Sequence, residues 1–426
     1  MALARIDLRG HSGPLSEALP RPPDAGADVR EAVSGILARV RLQGDEAVRA
    51  LTAELDGVVV DDLRVSAEEI VAATERVPGE LRSALELAYG RISAYHAHGP
   101  APAPAFHSGG VTVRDLLRPV ARAGCYAPGG RARYPSTVLM CAAAAKVAGV
   151  AQVVLCTPPG PDGRVDDATL AAAAVSGVDE VYRIGGAQAV GAMAYGTASV
   201  GAVDVIAGPG NLYVAEAKRQ VSGVVGVASA FAGPSEVVVV AGADTPALLA
   251  AVDLVVQAEH GPAGLAWLVT WSPDKAAEVE REVDRLVAGS PRRDDLRATL
   301  EKGGYICLVD DPESAIAVAN VVAPEHLQLM WEGAEDALPL VRSAGAVFVG
   351  TWAPASFGDY LAGPNHVLPT NRTARFASAL RAEDFVRHMH VVSMERSALR
   401  ELGPAVITLA TAEGLPAHAD SIRLRL

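Results

Sequence analysis

The stretch QVVLCTPPGPDGRVDDATLAAAAVSGVDEVYRI, residues 152–184, decides the fold. It opens on a β-branched run, Gln152–Cys156, crosses a Pro/Gly-rich turn, and enters an alanine-rich helical pattern at 168–177. A second β-branched run, Glu180–Ile184, closes it. Strand, turn, helix of small residues and strand again is one β-α-β unit. Such units build parallel sheets with helices on both faces. The rhythm recurs in VDVIA (203–207), EVVVVA (236–241), AWLVTW (266–271), YICLV (305–309) and AVFVG (346–350). These are too many strands for one small sheet, so the sequence predicts two α/β domains. Residues 1–24 read as a Pro-rich arm, the run from Val29 to about Tyr95 as helical, and the segment from Ala379 onward as helical again.

Composition narrows the function. Half of the 426 residues are hydrophobic, which suits a large core and argues against disorder. The net charge of −13, with no basic tract, disfavours nucleic acid as a partner. The uncharged tract Ile184–Val203 contains five glycines and polar residues, so it reads as loop and helix, not as a membrane span. No signal peptide is recognised in MALARIDLRG. The four cysteines, Cys125, Cys141, Cys156 and Cys307, form no C-x-x-C pair, and buried free thiols in a reducing cytoplasm are expected.

Glycine-rich turns fall where the strands end: CYAPGG (125–130), GGAQA (185–189) and GPGN (208–211), with AGPSE (232–236) just before a strand. Open α/β sheets bind ligands at the carboxyl ends of their strands. GPGN also opens a helix at Leu212, whose amides could face an anion. No G-x-G-x-x-G fingerprint follows a strand.

One helical pattern, DTPALLAAVDLVVQAEHGP, ends with Gln257 and His260 at i and i+3 on one face, stopped by Gly261 and Pro262. The pair can converge on a metal, or His260 can hydrogen-bond the helix end. Glu325-His326 before the run HLQLM offers a carboxylate and an imidazole side by side, two proton carriers. Asp359 lies in SFGDYLAG, read as a loop, and Glu413 and His418 lie near the C-terminus. Gln257, His260, Asp359 and His418 together would give a mixed N/O donor set suited to Zn²⁺.

Taken in order, CYAPGG, YPSTVLM, GGAQA, GPGN-x-YV-x-EAKRQV, AGPSE, QAEHGP, APEHL, GDY-x-AGPNHVLPT, TARF and EGLPAH resemble the histidinol dehydrogenase family over about residues 30–420. The resemblance implies two Rossmann-like, incompletely doubly wound α/β domains, with an N-terminal helical arm (1–24) and a small helical C-terminal segment (379–426). Residues 25–123 and 237–378 would form the main domain, and 124–236 the NAD-contacting one. It implies oxidation of L-histidinol through the aldehyde to L-histidine with two NAD and one Zn²⁺ per subunit. Gln257, His260, Asp359 and His418 match the zinc ligands. His326 matches the base for the hydroxyl proton, and Glu325 the group that activates water. Ser235, His366 and Glu413 match substrate contacts, alongside the zinc ligands and His326. Tyr126, Gln188 and Asn211 match NAD contacts. A homodimer with shared sites would place Glu413 and His418 in the partner's centre. Cys125 is expected to be structural. Two stretches depart from the family pattern, Ala228-Ser229 and Ala263–Trp267, which leaves a paralogue acting on another small polar alcohol, or an inactive binding homologue, as alternative readings.

Overall fold

The computed structural model describes residues 3–20, 26–129, 133–228, 235–259, 261 and 264–426. Among them two parallel sheets organise the chain. The larger has six strands in the order Ala4–Asp7, Gly304–Leu308, Leu265–Thr270, Glu236–Ala241, His326–Leu329 and Ala346–Val349. Every pair is parallel, and Glu236–Ala241 lies near the middle, between Leu265–Thr270 and His326–Leu329. The smaller has five, in the order Glu180–Arg183, Gln152–Thr157, Arg122–Tyr126, Val205–Ala207 and Gly226–Val227, again all parallel. Both α/β units expected from the sequence are therefore present.

Their membership differs from expectation. The helices Ala27–Gln43, Asp45–Leu51 and Gly79–His96, assigned with 25–123 to the main domain, cover the five-stranded sheet instead. Val33, Leu37, Val40 and Leu51 pack with Val154, Tyr182 and Ile184 on one face. Leu85, Ala88 and Ile92 pack with Leu139, Ala143 and Leu155 on the other. A parallel sheet is covered on both sides, and these helices extend the cover that the helices within 124–236 begin on each face. The N-terminal arm is also more than a helical extension: Ala4–Asp7 is an edge strand of the large sheet, followed by a short helix at Leu15–Ala18.

The C-terminal segment is not wholly helical. Val386–Met394 forms a nine-residue strand against Val111–Pro119, with Phe106–Ser108 beyond, in a three-stranded antiparallel sheet. His388 and His390, expected on a helix, lie on that strand. A valine-containing run beside an available partner edge overrides weak helical patterning. The helices Arg396–Ala412 and Pro416–Arg423 follow as expected. No described helix is long and apolar enough to cross a membrane.

Candidate active site

The large sheet places its reactive side chains at the amino ends of its strands. Glu325 immediately precedes the strand His326–Leu329, and Ser235 immediately precedes Glu236–Ala241. The Ser235 hydroxyl donates to Glu325 Oε2, and the Glu236 amide donates to the same oxygen at 3.3 Å. His326 Nδ1 lies 3.7 Å from that carboxylate oxygen, and its Nε2 lies 3.3 Å from Asp359 Oδ1. Glu325 and His326 are 8% and 4% exposed, so the middle of this row is nearly out of water, while Ser235 and Asp359 at its ends are partly exposed. Burial alone would lower the imidazole, but Glu325 and then Asp359 outweigh it and raise its pKa to about 9. Glu236 lies just behind: burial, then repulsion from Glu325, pushes its carboxyl up to about 8.

Asp359 sits in a short helix, Ala355–Tyr360, rather than in the expected loop. Its carbonyl accepts from His366 Nδ1 at 2.8 Å, and His366 Nε2 is 3.1 Å from Thr137 Oγ1. Burial lowers His366 below the ordinary imidazole range. The neutral ring then carries its proton on Nδ1 and accepts from the threonine. Asn365 adds a second tie, donating to the Met140 carbonyl at 2.8 Å. Thr137 and Met140 belong to the helix Pro135–Val147 of the five-stranded unit, so these bonds fasten the two α/β units at the site. The sequence reading assigned no role to Thr137. Its place in the second position after Pro135, beside a glycine-rich turn, was the available signal, but its partner is 229 residues away.

The expected metal ligands are placed unequally. Gln257 is in the last turn of the helix Ala247–Ala258, 4% exposed, and its amide nitrogen has no hydrogen-bond partner among the described residues. His260 lies outside the described residues. The C-cap Glu259 contributes with Asp359 and Tyr134 to the field at the Tyr360 hydroxyl, whose pKa is raised first by burial. This helix end therefore faces the Asp359 segment. His418 and Glu413 are exposed, and their helices Arg396–Ala412 and Pro416–Arg423 pack mainly on each other. Among the described residues no three His, Cys, Asp or Glu gather at metal-binding distance. Within one chain the structure brings Gln257 and Asp359 to the same side and leaves His418 apart.

A cavity of about 1490 Å³ opens at the carboxyl ends of the small sheet. Tyr126, Gln188 and Asn211, the positions that the resemblance assigns to NAD, all line it. The helix amides after GPGN are not free for an anion: Asn211 Oδ1 accepts from Tyr213 N at 3.0 Å and Val214 N at 3.1 Å. The GPGN turn is tightly seated. Gly208 has φ +110°, and a Cβ there would lie 2.1 Å from the Tyr126 carbonyl oxygen. Lys218 Nζ, fully buried, donates to the Gly208 carbonyl at 2.8 Å. All four cysteines are free and buried, and hydrogen bonding to Cys141 together with burial raises the Cys125 thiol far from nucleophilic use, as expected of a structural residue.

A carboxylate–imidazole pair at one sheet's amino edge, tied to a nucleotide-sized cavity at another sheet's carboxyl edge, is the layout of an oxidoreductase. The histidinol dehydrogenase family model matches residues 19–426, and the chain belongs to that family. Histidinol dehydrogenase of Synechococcus sp. is 46% identical over 402 residues, covering 94% of this chain and 92% of the relative. That of Gluconobacter oxydans is 47% identical over 405 residues, covering 93% of each. The crystal structure of histidinol dehydrogenase from Elizabethkingia anophelis superposes with a TM-score of 0.93 at 33% identity, covering 99% of this chain and 98% of that one.

Proposed function

We propose that the protein oxidises L-histidinol through L-histidinaldehyde to L-histidine, with two NAD and one Zn²⁺ per subunit, at the end of histidine biosynthesis. The observation that carries this reading is the row Ser235–Glu325–His326–Asp359. A four-electron oxidation of an alcohol needs a base for the hydroxyl proton and a second base for the water that attacks the aldehyde. Two adjacent proton acceptors in one dry site meet that need.

In the first half-reaction His326 would take the hydroxyl proton of the alcohol, and bound NAD would supply the hydride acceptor. The base is the neutral ring, and the two flanking carboxylates stabilise the imidazolium that forms, so the step is favoured as pH rises toward about 9. In the second, Glu325 would take a proton from water as the water oxygen adds to the aldehyde carbon, and a second NAD would supply the hydride acceptor for the hydrated aldehyde. Ser235 holds the Glu325 carboxylate by hydrogen bond, and His366, pinned between Thr137 and the Asp359 carbonyl, lines the substrate side.

The donor set fits zinc. A buried glutamine in the last turn of a helix, where the macrodipole favours cations, offers its amide oxygen, and the C-cap Glu259 beside it acts with Asp359 on the Tyr360 hydroxyl. Gln257, His260, Asp359 and His418 would hold the ion, which supplies a template orienting the substrate's heteroatoms. Because His418 and Glu413 are exposed and packed away from the site within one chain, they would serve a second copy in a homodimer. Four reduced, buried thiols agree with a cytoplasmic setting.

The test is NADH formation by the zinc-loaded protein with L-histidinol, run to completion. Two NADH per histidinol with histidine as product support the reading. A protein that holds zinc and binds NAD yet makes no NADH from histidinol would reassign it to another small alcohol.

A further inference from the structure

Asp56 ends a single π-helical turn, Thr52–Asp56, closed by Gly57 in the left-handed region. Such turns often mark functional positions. Its carboxylate lines the large cavity and is held from one side only: Gln188 Nε2 donates to Oδ2 at 3.2 Å. Gln188 is fully buried, and its own Oε1, packed against the Gly186 backbone, has no partner among the described residues, so the amide beside the acid is fixed in place at the cavity wall. Oδ1 packs over the backbone at Gly185, where an added Cβ would meet it at 3.2 Å.

The charge balance of the cavity singles Asp56 out. Of the lining residues, Arg39 pairs with Glu54 at 3.1 Å, Arg133 with Asp166 at 2.9 Å, and Arg164 with Glu69 at 3.8 Å. Asp167 pairs with Arg76 from outside. Among the described residues no cation pairs with Asp56 or Asp162. Both line the cavity, but Asp162 is exposed and accepts from the Arg164 amide in its own turn at 3.1 Å, whereas Asp56 is half-buried.

Topology says which end of a dinucleotide would meet Asp56. The catalytic segment is tied to the helix that follows Arg122–Tyr126, through Thr137 and Met140. Asp56 contacts Gln188 and Gly185, which follow Glu180–Arg183, two strands further out in the same sheet. At about 4.8 Å per strand, that is on the order of 10 Å away from the hydride end.

We propose that Asp56 is the specificity-determining residue of the cofactor cavity: its carboxylate accepts from the ribose hydroxyls at the adenosine end of NAD and turns away the 2′-phosphate of NADP. This rests on the NAD reading above. A carboxylate is an acceptor only, which suits a ribose diol. A phosphate monoester in its place adds nearly two negative charges beside an acid that no cation offsets. The fold thus obtains the acidic partner that dinucleotide sheets commonly carry near the second strand from a helix that precedes the sheet.

The experiment measures NAD and NADP binding by calorimetry on the full-length zinc-loaded protein, wild type, Asp56→Asn and Asp162→Asn, with steady-state kinetics alongside. Asparagine keeps the size of the side chain and an oxygen for Gln188. The expected result is NAD binding weakened about 10- to 100-fold in Asp56→Asn. KM for NAD rises, kcat at saturation is retained, and the NAD-over-NADP preference falls at least about tenfold. Asp162→Asn leaves both unchanged. Unaltered preference in a folded Asp56→Asn protein, or a preference that moves with Asp162→Asn instead, overturns the assignment while leaving NAD as cofactor. A wild type that binds neither dinucleotide overturns the NAD reading itself, and this assignment with it.

Discussion

The GPGN turn permits a prediction with an internal control. In Gly208→Ala the new Cβ falls 2.1 Å from the Tyr126 carbonyl oxygen, at a backbone φ of +110°. The turn cannot move off easily, because Lys218 Nζ grips the Gly208 carbonyl from the other side. Two costs add: about 1–3 kcal/mol for an L-residue in glycine-only backbone, and about 1–3 kcal/mol for overpacking against backbone. Gly223 has nearly the same φ, +100°, with nothing within 4 Å of its added Cβ. Gly223→Ala therefore pays the first cost alone, and the difference between the variants isolates the close contact at about 1–3 kcal/mol. Urea denaturation followed by circular dichroism reads the stabilities, and NAD titration reads the site. Because Tyr126 and Asn211 flank the contact, Gly208→Ala should also weaken NAD by about 10- to 100-fold, the scale of a displacement of one ångström. Gly223→Ala should leave NAD binding as it is. Equal denaturation midpoints for the two variants, with NAD binding intact in both, would refute the argument from close approach.

The remaining expectations concern the acid–base row and the metal. His326→Asn should slow histidinol oxidation by about 10²–10⁴-fold while bound zinc is retained, and Glu325→Gln should slow aldehyde oxidation more than alcohol oxidation; equal losses in both half-reactions would remove the division of labour. Glu236 holds its proton to about pH 8 in the folded protein, against 4.5 when unfolded. The folded state therefore binds more protons between those values, and the stability this contributes is present below pH 4.5 and lost as pH rises to 8. Relative to Glu236→Gln, wild type should lose up to about 5 kcal/mol over that window, measured by denaturation at a series of pH values; parallel curves would show that Glu236 is not the buried acid it resembles. Chelation should abolish activity and Zn²⁺ should restore it, and Gln257→Ala should lower the zinc retained after gel filtration, read by elemental analysis.

Much of the fold is written in local patterns. All seven β-branched runs from QVVLC to AVFVG lie on strands of the two parallel sheets. One strand that escaped has residues that do not advertise it. Arg122–Tyr126, the middle of the small sheet, reads RAGCY, with alanine and glycine where valine would be expected. The reason is tertiary: a Cβ on Gly124 would meet Met193 Sδ at 2.6 Å, so the helix Gly186–Tyr195 crosses too closely for a larger residue. The site shows the same division. The Glu325-His326 pair and the glycine turns are contiguous in sequence and were legible. The tie from Thr137 to His366 and the approach of Gln188 to Asp56, across 132 residues, exist only after folding.

The two sheets present opposite edges to the site, and this bears on the proposed placing of the ligands. Tyr126, Gly186 and Asn211 follow their strands, so the cavity lies at a carboxyl edge, where the covering helices begin. Ser235, Glu325 and His326 start or precede theirs, so the acid–base row lies at an amino edge. The helix Ala247–Ala258 returns antiparallel to its strand and therefore ends at that same edge, with Gln257 in its last turn. Helix beginnings favour anions and helix ends favour cations. Joining a carboxyl edge to an amino edge thus sets a helix-start field beside a helix-end one, which agrees with the proposed nucleotide and metal sites. It also explains how neighbouring side chains serve one centre. Alternation along a strand would send Glu325 and His326 to opposite faces. Glu325 escapes alternation because it stands before the first paired residue, its carbonyl taken by the Ala346 amide at 2.9 Å and covered by Gly345, where a Cβ would come within 2.6 Å. Its carboxylate is then free to turn toward His326.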